Sequence, residues 1–174
     1  PSISGISREP CAPTTSDAEV VVSCVILDNS TISEALVHYS LDGNTYSTET
    51  MTSTDDSLFT AVLPLSGISS GDNSVYYYIT ATDDGTDQSE PKTSQYPYDN
   101  EYDQLGFVVT DQLGVVDLQY TPWPSGNTRY EGCEVTVSGV VTADTAQYNS
   151  GYSSFALQDP GTQQQWAGLV FDTE

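Results

Sequence analysis

Apolar and polar residues alternate with a period of two through most of the first 110 residues. The clearest case is Val75–Asp83, where Val75, Tyr77, Ile79 and Ala81 form one apolar row. Tyr76, Tyr78 and Thr80 form the opposite row, amphipathic and expected to face water. A half-buried strand has this pattern, and here it predicts the central rib of a β-sandwich. Ala18–Leu27 repeats the signature, with Val20, Val22, Cys24 and Ile26 inward and Val21 and Val25 opposite. Ser2–Arg8 reads as an edge strand stopped by Pro10 and Pro13. Further strands are expected at Ile32–Leu41, Thr45–Met51, Leu58–Leu65 and Phe107–Thr110. Asp28-Asn29-Ser30, Asp42-Gly43 and Asp55-Asp56 supply turns between them, the second being a strong hairpin signal. A long polar segment separates Asp83 from Gln104, and no stretch longer than a turn has a helical period.

Seven short strands with regularly spaced turns indicate a sandwich over residues 1–110. Three stretches, SREPCAPTTSDAEVVVSCVILDN, LVHYSLDGNTY and VYYYITATDDG, make that region resemble the fibronectin-III/immunoglobulin-like modules of large secreted bacterial proteins. Such modules pair an alternating Val strand with a YS-DG hairpin and a Tyr-rich strand ending in Ala-x-Asp-x-Gly. The resemblance implies a fold and says almost nothing of function, because these modules serve as spacers, adhesion units and sorting platforms.

Asp111–Gly114 reads as a short linker, and residues 115–174 as a second β domain. Val135, Val137, Val140 and Val141 around Gly139 suggest a first bent strand, Phe155–Asp159 a second, and Gly168–Phe171 a third. Together with VVDLQYTPWPSGNTRYEGCEVTVSGVVTAD these stretches resemble the start of an OB-fold module of the kind found beside nucleases and other hydrolases in secreted multidomain proteins. Gly139 is expected to permit the bend of a small barrel. An OB barrel takes about five strands. Three are visible before Glu174, so the barrel is expected to be incomplete within this chain. The fold expected overall is all-β, an Ig/FnIII-like sandwich followed by an incomplete OB-like barrel domain.

Charge narrows the partners. Twenty-five Asp and Glu stand against three Lys and Arg, for a net charge of −22 spread through the whole chain. Arg8, Lys92 and Arg129 are too few to neutralise a phosphate backbone, so nucleic acid is excluded as a partner. An anionic membrane surface is disfavoured for the same reason. No start methionine, signal peptide or membrane-spanning apolar run is present. With its Lys-poor, Ser/Thr/Tyr-rich composition, the chain reads as an extracellular or cell-surface protein, processed or excerpted, and not inserted in a membrane. Of three cysteines, Cys24 continues the Val20, Val22, Ile26 row and reads as a small buried residue. In a hairpin centred near Thr15, Cys24 lies about a dozen Å from Cys11, too far for a disulfide. Cys11 remains free to pair with Cys133 or with a neighbouring chain.

Two sets of side chains are candidates for binding. Asp83, Asp84, Asp87 and Glu90, followed by Asp99, Glu101 and Asp103, crowd the long polar segment. Such a loop needs something to order it, and Ca2+ accepts about six to eight oxygen ligands. The spacing is not that of an EF-hand. Trp123, Tyr130, Phe155 and Trp166, with other loop tyrosines, form the second set, suited to stacking on a sugar ring or packing at a domain junction. Catalysis lacks its parts: His38 is the lone histidine, in a strand, with no nucleophile arranged around it. Zinc would need more His and Cys. The expected role is therefore non-catalytic: a structural or adhesive protein, a cell-surface component or a filament subunit completed by strand contacts between copies of itself or with other surface proteins. A glycan- or polymer-binding accessory of a secreted hydrolase or nuclease is the rival.

Overall fold

A computed structural model of the chain describes residues 1–53, 55, 57–68, 73–87, 90–143, 154–161 and 168–172. The fold is all-β, 49% strand and 3% helix, in several antiparallel sheets of which none closes into a barrel. In chain order the elements are β1 (Ser2–Glu9), β2 (Glu19–Leu27), β3 (Ile32–Ser40), β4 (Tyr46–Thr50), β5 (Thr52–Ser53), β6 (Leu58–Pro64) and β7 (Ser74–Asp83). They continue with β8 (Thr93–Tyr96), β9 (Leu105–Val108), α1 (Val115–Gln119), β10 (Val140–Ala143), β11 (Ser154–Gln158) and β12 (Gly168–Asp172).

One sheet runs β1-β2-β6-β5, and a second runs β4-β3-β7-β8 with β9 also on β7. The period-two rows meet between them. Val20, Val22, Cys24 and Ile26 of β2, with Phe59, Ala61 and Leu63 of β6, face Val37, Val75, Tyr77 and Ile79 of the other sheet. Each fully buried aliphatic side chain in that interior contributes roughly 1.5–3 kcal/mol relative to exposure. Strand β7 is the rib: one edge pairs with β3 from Asp83 to Tyr76. Its other edge is divided, with β9 on Ser74–Tyr77 and β8 on Ile79–Thr82. The polar segment expected as one long loop therefore contains a short strand, β8, whose few residues are too polar to stand out by periodicity.

The hairpin at Asp42-Gly43 forms as expected. Gly43 takes φ +74°, a left-handed conformation that glycine enters without steric cost. Asp42 Oδ1 accepts hydrogen bonds from the backbone N–H groups of Asn44 and Thr45, at 2.8 and 2.7 Å. Those N–H donors hold the Asp42 carboxyl down to about 2.

Three expectations need correction. Tyr76, placed on the water-facing row, is only 8% exposed. Trp123 packs edge-on against its ring at 5.6 Å and the Arg129 guanidinium lies 4.9 Å from its centroid, both contributed by residues remote in sequence. Val135 and Val137 lie before the first strand of the third sheet, which begins at Val140; Val137 makes an isolated parallel bridge to Leu113. Gly139 serves close approach: a Cβ there would sit 2.7 Å from Leu157 Cγ and 2.8 Å from the Gln158 carbonyl. The third sheet, β10-β11-β12, is antiparallel throughout, with β11 in the centre.

Cys24 is fully buried, with Sγ 3.8 Å from Met51 Sδ, and burial pushes its thiol up to about 11. In the native protein this thiol is expected to stay silent toward a disulfide reagent, and to react as one equivalent once the chain is unfolded without reductant. Cys24→Ser, which buries a hydroxyl among apolar groups, is expected to cost about 1–3 kcal/mol. Thermal melts check this, with a drop of roughly 2–4 °C per kcal/mol.

Candidate functional site

The residues after Val109 are fastened to the sandwich by the two arginines. Arg8, near the end of β1, donates from Nε to the Cys11 carbonyl and from Nη2 to the Arg129 carbonyl, both at 2.8 Å. Its guanidinium sits between two rings, 5.4 Å from the centroid of Phe107 and 5.3 Å from that of Tyr130. A cation over aromatic faces is attracted by their quadrupoles, more so when water is excluded. Arg129 is 7% exposed; its Nη1 donates to Ser74 Oγ at 2.8 Å and its Nη2 to Tyr76 Oη at 3.0 Å. Gly106 makes room, since a Cβ there would meet the Val75 carbonyl at 2.8 Å and Arg129 Cδ at 3.6 Å. Among the described residues neither arginine forms an ion pair with a carboxylate.

Other contacts complete the junction. Tyr130 Oη accepts the Val108 backbone N–H at 3.0 Å, and burial raises its phenol pKa. Ser125 Oγ and Asn127 Nδ2 donate to the two oxygens of Asp103 at 2.8 and 2.7 Å. A disulfide joins Cys11 to Cys133 across a sequence separation of 122, which resolves the pairing left open by the sequence and leaves Cys24 as the free thiol. The segment expected as a linker is anchored: Leu113 is buried, and Asp111 Oδ1 accepts from Thr15 Oγ1 at 2.6 Å. The short helix α1 has its first N–H groups taken by a distant carboxylate, Val115 N to Asp159 Oδ1 at 2.7 Å and Val116 N to Asp159 Oδ2 at 2.9 Å. Gly114 is required there, because a Cβ would lie 2.9 Å from Asp159 Oδ1.

Two clefts open on this junction. The larger, about 1120 Å³, runs along β1 past Arg8 and Cys133 to Ser138. The smaller, about 590 Å³, lies over Tyr76 and is walled by Tyr120, Trp123 and Arg129. Of the aromatics chosen from the sequence, Trp123 lines the smaller cleft, and Tyr130 packs elsewhere in the junction, against Arg8 and Val108. Phe155 is on β11 of the third sheet, half-buried, and Trp166 lies outside the described residues. Both arginines were missed as site residues. Their signal was scarcity, two of only three cations in an acidic chain.

The carboxylates proposed for calcium are not gathered. No group of three or more His, Cys, Asp or Glu among the described residues is placed to hold a metal ion. Three of the seven, Asp83, Asp84 and Asp99, close turns. Asp83, buried at the end of β7, accepts from the N–H groups of Gly85 and Lys92 at 2.8 and 3.0 Å. Asp84 accepts from Thr86 N, which lowers its pKa, and Asp87 from Ser30 Oγ. Asp99 accepts from Glu101 N at 3.0 Å, and Asp103 holds Ser125 and Asn127 as described. Glu90 and Glu101 are exposed. An aspartate that takes the N–H two residues on makes an Asx turn, a role needing no ion.

His38 stacks on Tyr78 with centroids 4.5 Å apart, and its Nε2 is 2.9 Å from Thr80 Oγ1. Burial lowers its pKa from 6.5, opposed by the charge of Glu34. No helix among the described residues is long and apolar enough to cross a membrane. No family model matches this sequence, and no curated protein is similar to it.

Because folding depresses the His38 pKa, the unfolded chain binds more protons below about pH 6.5, so this residue's share of stability is present at neutral pH and lost on acidification. Melts between about pH 7.5 and 5 should show a falling Tm, and His38→Gln should flatten that part of the profile. For the disulfide, the chain-entropy model gives about 5 kcal/mol for a loop of this length. Cys11→Ser with Cys133→Ser is expected to lower stability by about 3–5 kcal/mol in denaturant titrations and to speed proteolysis between residues 111 and 138.

Proposed function

We propose that this chain is a non-catalytic extracellular structural or adhesive protein, an Ig/FnIII-like module over residues 1–110 joined rigidly to an OB-like module, acting as a cell-surface component or a filament subunit. The observation that carries this reading is the third sheet. Its strands β10 and β12 each pair on one side only among the described residues. Val140, Val141 and Val170 are about half exposed on it, at 52%, 56% and 54%. Unpaired strand edges beside exposed apolar side chains invite pairing with another chain. The junction supports the same reading, since a disulfide, a buried Arg129 and a partly buried Arg8 suit a scaffold that keeps its two parts in fixed relation. The polar groups around His38 and in the acidic segment are engaged in stacking and turns, an arrangement suited to holding shape.

A second reading, a glycan- or polymer-binding accessory of a secreted enzyme, draws on the outer face of β3, β4 and β7. There Tyr46 lies 5.5 Å from Tyr78, which stacks on His38 at 4.5 Å, forming a row of rings able to take a sugar face.

Sedimentation velocity separates the two. The scaffold reading expects species that grow with concentration between about 1 and 200 μM, a range spanning ordinary weak interfaces. Val141→Lys or Val170→Lys, placing a charge on an exposed position, should return them to monomer without lowering Tm. A wild-type protein that stays monomeric throughout and binds a glycan array rejects the scaffold reading in favour of the accessory one.

A further inference from the structure

The smaller cleft contains a guanidinium to which the described residues bring no carboxylate. Arg129 is 93% buried by its 7% exposure, yet only neutral hydroxyls, Ser74 Oγ and Tyr76 Oη, receive its terminal N–H groups. Its Nε is buried with no hydrogen-bond partner, and so is the indole Nε1 of Trp123. Both side chains line the same cleft of about 590 Å³. Buried N–H donors left unpaired are costly, and a buried guanidinium without an anion more so. None of the described carboxylates is brought to this guanidinium, so an anionic group on a ligand would meet donors they leave unpaired.

The rest of the lining decides what carries that group. Asp42 and Asp117 also face the cleft, and each uses a single oxygen on its own surroundings: Asp42 Oδ1 on Ser40, Asn44 and Thr45, Asp117 Oδ2 on Gly114 N. A simple anion would meet both carboxylates and the field of a chain at −22. A simple cation would meet Arg129. A molecule carrying both charges meets neither objection, with its carboxylate toward the guanidinium and indole N–H and its ammonium toward the aspartates. The two orphan donors are buried, and Tyr120, 45% exposed with its ring 5.9 Å from the Arg129 guanidinium, forms part of the cleft wall.

We propose that the cleft formed by Arg129, Trp123, Tyr120, Asp42 and Asp117 binds a small zwitterion of the α-amino-acid class. The site is independent of whether copies of the chain assemble.

Three probes of one shape test it by calorimetry and by NMR of the indole N–H signals: L-phenylalanine, 3-phenylpropionate, which lacks the ammonium, and phenethylamine, which lacks the carboxylate. The signal missing from Trp123→Phe identifies the indole of interest. L-Phenylalanine should shift it and bind at least about tenfold tighter than either analogue. Arg129→Lys, which keeps charge but loses the fork, should weaken L-phenylalanine by about tenfold or more. If that variant does not fold, Asp117→Asn on the intact arginine decides. It should weaken L-phenylalanine and strengthen 3-phenylpropionate, because one ligand loses an attraction and the other a repulsion. An indole signal unmoved at about 10 mM L-phenylalanine, a concentration that would fill even a millimolar site, means the donors are met by internal water and overturns the proposal. So does 3-phenylpropionate binding as tightly as the amino acid, or Asp117→Asn moving the two ligands in the same direction.

Discussion

Strand β7 holds its position because both of its edges and both of its faces are in use. A ten-residue strand presents a backbone donor or acceptor at every step along each edge, and those groups are costly to bury unpaired. On one side β3 takes the strand from Tyr76 to Asp83; on the other, β9 and β8 divide it end to end. Val75, Tyr77 and Ile79 are driven inward against β2 and β6, while Tyr76 on the reverse face is sealed by Trp123 and Arg129. The rib of the sandwich is thus also the floor of the junction. Loosening one would loosen the other.

Charge is distributed with the same economy. Of three basic side chains, two are drawn in at the junction and held by rings, hydroxyls and carbonyls. For Arg8, two aromatic faces and two carbonyl acceptors hold the guanidinium with no described carboxylate beside it, which avoids desolvating a second ion. The acids remain outside, and many shape the chain locally: Asp42, Asp55, Asp84 and Asp99 each accept a nearby backbone N–H at a turn. Part of the acidic composition thus serves the many turns of the chain.

What the sequence revealed was what depends on near neighbours. The Val20–Ile26 and Val75–Ala81 rows and the Asp42-Gly43 hairpin are local patterns, and the structure reproduces them. The seal over Tyr76 depends on residues about fifty positions away, and periodicity sees only the strand itself. Asp159 at the start of α1 is a similar case, a cap supplied from another sheet to a five-residue helix that no repeat could announce. Gly139 was singled out correctly and explained wrongly, because the close approach of Leu157 is invisible until the strands are laid side by side. Of the candidate site, Trp123 and Tyr130 were legible as aromatics in a polar stretch. Arg129 was legible only as a rarity, since nothing local says that a lone cation will be enclosed.

The bridge between Cys11 and Cys133 has a mechanical consequence. Because it spans a separation of 122 residues, the chain between those points forms a covalent ring. Tension entering near β1 and leaving through the third sheet travels through the sulfurs and bypasses the body of the sandwich. Strand β1 lies outside the ring and can be peeled from β2, but the chain from β2 to β9 cannot be drawn out while the bond stands. A module built this way can be stretched along its length with most of its fold acting as a passenger.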